Sequence, residues 1–232
     1  MRQKIASISQ MLRLPSICVL CQQYHRQQLA VCELCKASLK KIGPACYYCA
    51  LPLPDEKFLV CGLCSKKQPV IDHTLTAYLY EDPLRALLHD FKYKEALYLR
   101  SFLVDLMLEA LPEQALLQTE CLVPVPSHPR RIRERGFNQA AELAKMLAKT
   151  LGLVCELNLC KKIIHTQPQA SLNSKARRRN LRQAFQAKTK GYQHITLVDD
   201  LLTTGSTANE LAKVLKQQGV SRVDLWCCAR TP

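Results

Sequence analysis

Two groups of residues have types and spacings that could do chemistry. The stretch "ITLVDDLLTTGST", residues 195–207, brings an apolar run onto two adjacent carboxylates, Asp199 and Asp200, then into hydroxyls around one glycine. The backbone N–H groups of such a loop, with the N-terminus of a following helix, cradle a phosphate. Thr203, Thr204, Ser206 and Thr207 add hydroxyl donors, and Gly205 permits close approach or a positive φ. The two carboxylates accept hydrogen bonds from ribose hydroxyls and orient Mg²⁺ through the sugar or water. Together these are the parts of a site for a phosphorylated pentose. An Asp-Asp pair closing a buried strand would be costly without such a partner.

The second group is sulfur. Eight of the 13 cysteines form four CxxC pairs: Cys18/Cys21, Cys32/Cys35, Cys46/Cys49 and Cys61/Cys64. A CxxC turn points two thiolates at one ion, and two turns close a tetrahedral zinc site. Consecutive pairing needs only short loops. It places Cys18, Cys21, Cys32 and Cys35 on one zinc and Cys46, Cys49, Cys61 and Cys64 on another; spacing leaves a cross-braced arrangement open. Four-thiolate sites are closed, so both metals are expected to be structural. In a reducing compartment this series is a metal framework, not a disulfide scaffold.

Charge is the third signal. The formal net charge of +14 falls to +10 once each of two Zn(S⁻)₄ units contributes −2. Residues 121–190 hold fifteen Lys/Arg against three Asp/Glu, whereas residues 70–120 hold four against nine. A single-sign field of that size concentrates pyrophosphate or polyanions. One cluster, "SHPRRIRERGFNQ", offers Ser127, His128, Arg130, Arg131, Arg133 and Arg135; the other offers Lys175, Arg177, Arg178 and Arg179. His128 and His165 are candidate general bases by location only.

These groups need elements to position them. Residues 1–68 carry all four CxxC pairs and Pro/Gly breaks, and read as a double zinc ribbon. From residue 69 to 232 strand and helix patterns alternate, which implies an α/β domain with a parallel sheet. "TLTAYLY" reads as one half-buried strand, with a helix capped by Asp82 after it and a second over about 96–110. "CLVPVP", "ITLV" and "VDLWCCA" read as further strands, and "NQAAELAKMLAKTLG" and "ANELAKVLKQQG" as amphipathic helices ending at Gly152 and Gly219. No stretch approaches the roughly 20 apolar residues of a membrane span. The basic N-terminus, with Ile5, Ile8 and Leu12 at helical spacing, lacks the apolar core of a signal peptide and reads as a docking helix. A cytoplasmic location is expected.

"VDDLLTTGST" resembles the phosphoribosyl-pyrophosphate (PRPP) signature of type I phosphoribosyltransferases. By that resemblance Asp199 and Asp200 are the catalytic pair on the ribose 2′- and 3′-hydroxyls, and Thr203–Thr207 hold the 5′-phosphate. Ser127, His128, Arg130 and Arg131 would then grip pyrophosphate, and the Lys175–Arg179 cluster would belong to a flexible loop over the site. With "AYLYEDPLRALLHDFKY", "RERGFNQ" and "RRRN", the chain as a whole resembles the ComF/GntX family of phosphoribosyltransferase-like competence proteins. That resemblance implies a type I phosphoribosyltransferase fold behind the zinc module, and a role in natural transformation. Arg133, Arg135 and the second cluster would contact single-stranded DNA, with Tyr47, Tyr48 and Phe137 available for stacking. Inner-membrane DNA transport and helicase proteins would be partners, and Mg²⁺ would accompany PRPP. The alternatives are a working phosphoribosyltransferase with an unidentified base or amine acceptor, and a ligand sensor without turnover.

Overall fold

The computed structural model describes residues 15–26, 29–112, 118–163 and 184–232. Its centre is a wholly parallel sheet. The strands are β3 (His73–Leu75), β4 (Tyr78–Leu79), β5 (Cys121–Pro124), β6 (Val154–Cys155), β9 (His194–Leu202) and β10 (Arg222–Arg230). Their order is β3-β10-β9-β5-β6, with β4 also on β10. The central strands are apolar on both sides, as a sheet covered on both faces requires. Leu122, Val198, Trp226 and Cys228 pack into one core, and Val123, Leu197, Leu225 and Cys227 into the other.

Helices cover both faces. The first core takes in α3 (Leu84–Tyr93), α4 (Arg100–Leu108) and α6 (Gln139–Leu151). The second takes in α7 (Ser206–Gln217) and the antiparallel hairpin of β7 (Cys160–Lys162) with β8 (Phe185–Ala187). Among the described residues no helix is long and apolar enough to cross a membrane.

Two small cysteine units flank the β3–β4 edge. The first contains the hairpin β1 (Ser16–Ile17) and β2 (Tyr24–His25) and the short helix α1 (Glu33–Ala37); the second ends in α2 (Gly62–Lys66). In both, a cysteine is the N-cap of the helix, Cys32 for α1 and Cys61 for α2. The first unit shares a core with the α/β part through Cys18, Val31 and Leu39, and Lys36 pairs with Asp105 and Glu109 on and beside α4. The second has its own small cluster of Cys46, Cys61 and Cys64.

Several elements differ from the sequence expectation. "TLTAYLY" is not one strand: it leaves β10 at Thr76–Ala77 and returns in the same register at Tyr78. The first cysteine unit accounts for the break, since Ala77 O accepts from Ile42 N at 2.8 Å and Leu79 N donates to Lys40 O at 2.9 Å. The N-cap of α3 is Pro83, while Asp82 pairs with Arg85. The helix expected over 96–110 is a 3₁₀ turn, Leu97–Leu99, followed by α4. The dense arginines lie on a seven-residue helix, α5 (Pro129–Arg135).

Candidate functional site

Strand β9 carries the acid pair inside the sheet instead of at its end, continuing to Leu202. Asp200 is buried, and Lys92 Nζ at the end of α3 lies 2.9 Å from its Oδ2. Asp199, partly open, accepts from the Asp200 N–H at 3.0 Å through its own Oδ1. Burial raises the Asp199 carboxyl, and the charge of Asp200 raises it further against the pull of Lys92. Burial alone would lower Lys92, but the carboxylates of Asp200 and Asp199 more than offset it, so the ammonium stays protonated. The acids are thus only half compensated. Hydroxyl donors or a divalent cation would stabilise the second charge.

From Thr203 the chain turns into α7. Gly205 is the N-cap with φ +68°, a left-handed conformation that suits glycine. Thr204 Oγ1 and Ser206 Oγ lie 2.8 Å apart. Asn209 locks the turn: its Nδ2 donates to Gly205 O at 2.9 Å, and its Oδ1 accepts from Val70 N at 2.7 Å. The dipole of a 12-residue helix makes this end attractive to an anion.

These parts line one cavity of about 330 Å³. Asp199, Asp200, Thr203, Gly205, Ser206 and Thr207 form one side of it, and Ser127, Arg131, Arg135 and Lys162 also line it. Thr204 lines the neighbouring groove instead. Helical periodicity sorts the arginines: Arg131 and Arg135, four apart, face the cavity. Arg130 is exposed and pairs with Glu134 at 3.0 Å, and Arg133 is exposed. The ring of His128 accepts from Arg130 N at 3.2 Å and caps α5. Arg135 stacks over the Tyr93 ring at 4.7 Å and donates to its hydroxyl at 3.1 Å. Lys175, Arg177, Arg178, Arg179 and His165 lie outside the described residues.

Two lysines were missed in the sequence. Lys92 follows Phe91 on α3, and Lys162, on β7, lines the same cavity as the acids. Period-two alternation was the available signal for Lys162, because it puts that residue on the same side as buried Cys160. Lys162 is 9% exposed, has no carboxylate partner among the described residues, and has its ammonium 5.6 Å from the Phe185 ring centroid. Burial and the neighbouring charge of Arg131 push its pKa down to about 8. Two neighbouring cations, one of them without a carboxylate partner among the described residues, suit an anion.

The cysteines form two groups, each with its four sulfurs within 4.8 Å of one another: Cys18, Cys21, Cys32, Cys35 and Cys46, Cys49, Cys61, Cys64. The pairing is consecutive. A tetrahedron with Zn–S bonds of about 2.3 Å has edges of about 3.8 Å, and Cys21–Cys32 and Cys49–Cys61 are each 3.8 Å apart. Within the first group burial opposes ionisation, but backbone N–H groups bring Cys18 down to about 6, while Cys35 is pushed up to about 12 by burial and its sulfur neighbours. Four thiols so close cannot all ionise without a divalent cation. Both groups therefore fit a structural zinc.

No protein-family model matches the chain. Among solved structures, the crystal structure of orotate phosphoribosyltransferase from Aeropyrum pernix is similar at TM-score 0.37 and 19% identity, covering 64% of this chain and 77% of that one; a likeness so loose carries no argument. Relatives in sequence are nearer. DNA utilization protein YhgH of Escherichia coli K12 is 32% identical over 95% of this chain and 100% of its own length. Competence protein ComFC of Bacillus subtilis is 28% identical over 88% and 90%. Competence protein F of Haemophilus influenzae is 33% identical over 92% of this chain and 96% of its own. With more than 30% identity over more than nine-tenths of its length, the chain belongs to the competence protein F (ComF) family.

Proposed function

We propose that this protein acts in natural transformation, handling single-stranded DNA as it enters the cytoplasm, and that its cavity binds PRPP or a related sugar phosphate with Mg²⁺. The cysteine module, residues 1–68, and the phosphoribosyltransferase-like part, residues 69–232, would serve these tasks together. The observation that carries the ligand reading is the convergence of Asp199, Asp200, Thr203, Gly205, Ser206 and Thr207 on one cavity that Arg131 and Lys162 also line. Carboxylates suit the ribose hydroxyls, the turn suits the 5′-phosphate, and the cations suit a pyrophosphate.

The DNA role is supported by the names of the relatives, competence and DNA utilization proteins, and by the charge of +14. Phosphate neutralisation gives sequence-independent affinity that weakens with salt. Exposed Arg130 and Arg133, with Lys175 and Arg177–Arg179, would supply it, leaving Arg131 and Arg135 to the cavity. Inner-membrane transport and helicase proteins would be the neighbours in this work.

Phosphoribosyl transfer from PRPP to an unidentified nucleobase or amine is a second reading, favoured by the separation of charge in the cavity. As the bond from C1′ to pyrophosphate breaks and the nitrogen of the acceptor bonds to C1′, negative charge would develop on the departing pyrophosphate near Arg131 and Lys162, whose cations would stabilise it. Calorimetry with magnesium–PRPP tests the ligand directly. Asp199→Asn is expected to weaken binding by about tenfold or more, roughly 1.4 kcal/mol, and unchanged affinity would remove the assignment. A pyrophosphate-release assay with free bases and single-stranded DNA as acceptors then separates enzyme from binder. Replacing Arg177, Arg178 and Arg179 by Ala should reduce the salt slope of single-stranded oligonucleotide binding by up to about two; an unaltered slope would take DNA contact away from that cluster.

A further inference from the structure

Arg230, near the C-terminal end of β10, is 8% exposed and has no carboxylate partner among the described residues. Its guanidinium ties three segments together. Nε donates to Cys49 O at 2.9 Å, and Nη1 donates to Thr203 O at 2.7 Å and to Thr231 O at 2.6 Å. Thr231 N in turn donates to Leu202 O at 2.9 Å. Cys49 belongs to the second sulfur group, and Thr203 opens the turn at the head of α7. A guanidinium is always charged, and burying one without a counter-ion is costly unless carbonyls stand in. Here those carbonyls are in place only when the turn and the cysteine unit are both docked.

The same residues help to line the neighbouring open groove, about 1150 Å³, on the other side of the turn, with Cys49, Cys64, Arg230 and Thr203–Ser206 among its walls. The turn is therefore a partition with a buried cation behind it and the candidate phosphate site before it. The field of that cation adds to the helix dipole. No such arm reaches from the first sulfur group among the described residues; its unit docks through Lys36 on Asp105 and Glu109, and through the contacts at β4.

We propose that Arg230 is a positioning residue joining the second cysteine group to the Thr203–Thr207 turn, so that metal in that group and a phosphorylated ligand in the cavity strengthen each other's binding. The inference rests on reading the turn as a phosphate site. Coupling of this kind is reciprocal, so it can be read from either end. It also acts on only one of the two metals.

The test follows zinc release from the full chain, loaded with two equivalents, into a colorimetric chelator, with and without saturating ribose 5-phosphate. In the unmodified protein, ligand should slow one equivalent by about fivefold or more and leave the other unchanged. In Arg230→Met both equivalents should ignore the ligand, and ribose 5-phosphate affinity should fall. Arg230→Lys keeps the charge but cannot span both carbonyls, so it should lose the coupling while retaining part of the affinity. Binding of ribose 5-phosphate to the unmodified protein with both release rates unchanged overturns the proposal, as does coupling that survives in Arg230→Met. Absence of ribose 5-phosphate binding in calorimetry would instead remove the phosphate reading of the turn, and the coupling with it. If Arg230→Met does not fold, the unmodified protein and Arg230→Lys decide.

Discussion

At the scale of single residues, the cavity is organised by charges that are not neutralised by neighbours of their own. Lys162 is the plainest case. Its folded pKa of about 8 lies below the ordinary lysine value of 10.5, so the folded state disfavours the cation. The penalty is present in full below about pH 8 and fades as pH rises towards 10.5, where the unfolded chain also loses the proton. Lys162→Met should therefore stabilise the ligand-free protein by about 2 kcal/mol at pH 7 and by clearly less at pH 10, measured by denaturant melts at both pH values. The same residue predicts a proton count. At pH 8 an incoming anion raises the lysine pKa, so pyrophosphate binding should take up a fraction of a proton, read by calorimetry in buffers of different ionisation enthalpy. Lys162→Met should abolish the uptake; an identical uptake in the variant would place Lys162 away from the anion. Lys92 behaves oppositely because Asp200 compensates it at 2.9 Å.

At the scale of elements, much of the site was legible because it is local in sequence. The apolar run, the acid pair, the hydroxyl turn and the helix after it follow one another within residues 195–217, and period and turn chemistry locate them. What was not legible arrives from elsewhere in the chain. Lys92 sits singly in α3 and Lys162 beside Lys161 in β7, and only the packing of those elements around β9 brings both to the cavity of the acids. The break at Thr76–Ala77 was likewise invisible, since the alternation runs through it and the cause is a hydrogen bond from Ile42. Arginine density misled in a similar way until the turn of α5 separated Arg131 and Arg135 from Arg130 and Arg133. Gly205 gives a test of the turn itself. A Cβ there would meet Asn209 Nδ2 at 3.3 Å and Leu202 Cδ1 at 3.5 Å, and the φ of +68° would be strained. Gly205→Ala should cost about 1 kcal/mol in stability and weaken ribose 5-phosphate binding several-fold. Full binding in calorimetry would show that the turn does not need this conformation.

At the scale of the whole molecule, the two sulfur groups have different mechanical standing although their sequences look alike. Cys18, Val31 and Leu39 lie in the same core as Phe102, Leu106 and Met107 of α4. Lys36 and Lys41 both reach Glu109, which burial would raise but which these cations and Tyr78 hold down at about 2. The first metal is thus expected to support one face of the sheet. The second group packs mainly on itself and reaches the turn through Arg230. Metal analysis should give two zincs per chain, and the loss of each should leave a different mark. Cys21→Ser, which opens the first group, should raise hydrogen exchange in α4 and lower the stability of the whole chain, because the core that α4 shares loses one wall. Cys64→Ser, which opens the second, should leave exchange in α4 near the unmodified level and raise it at residues 203–207. Equal exchange profiles in the two variants would mean that the units act as one scaffold, contrary to their separate cores.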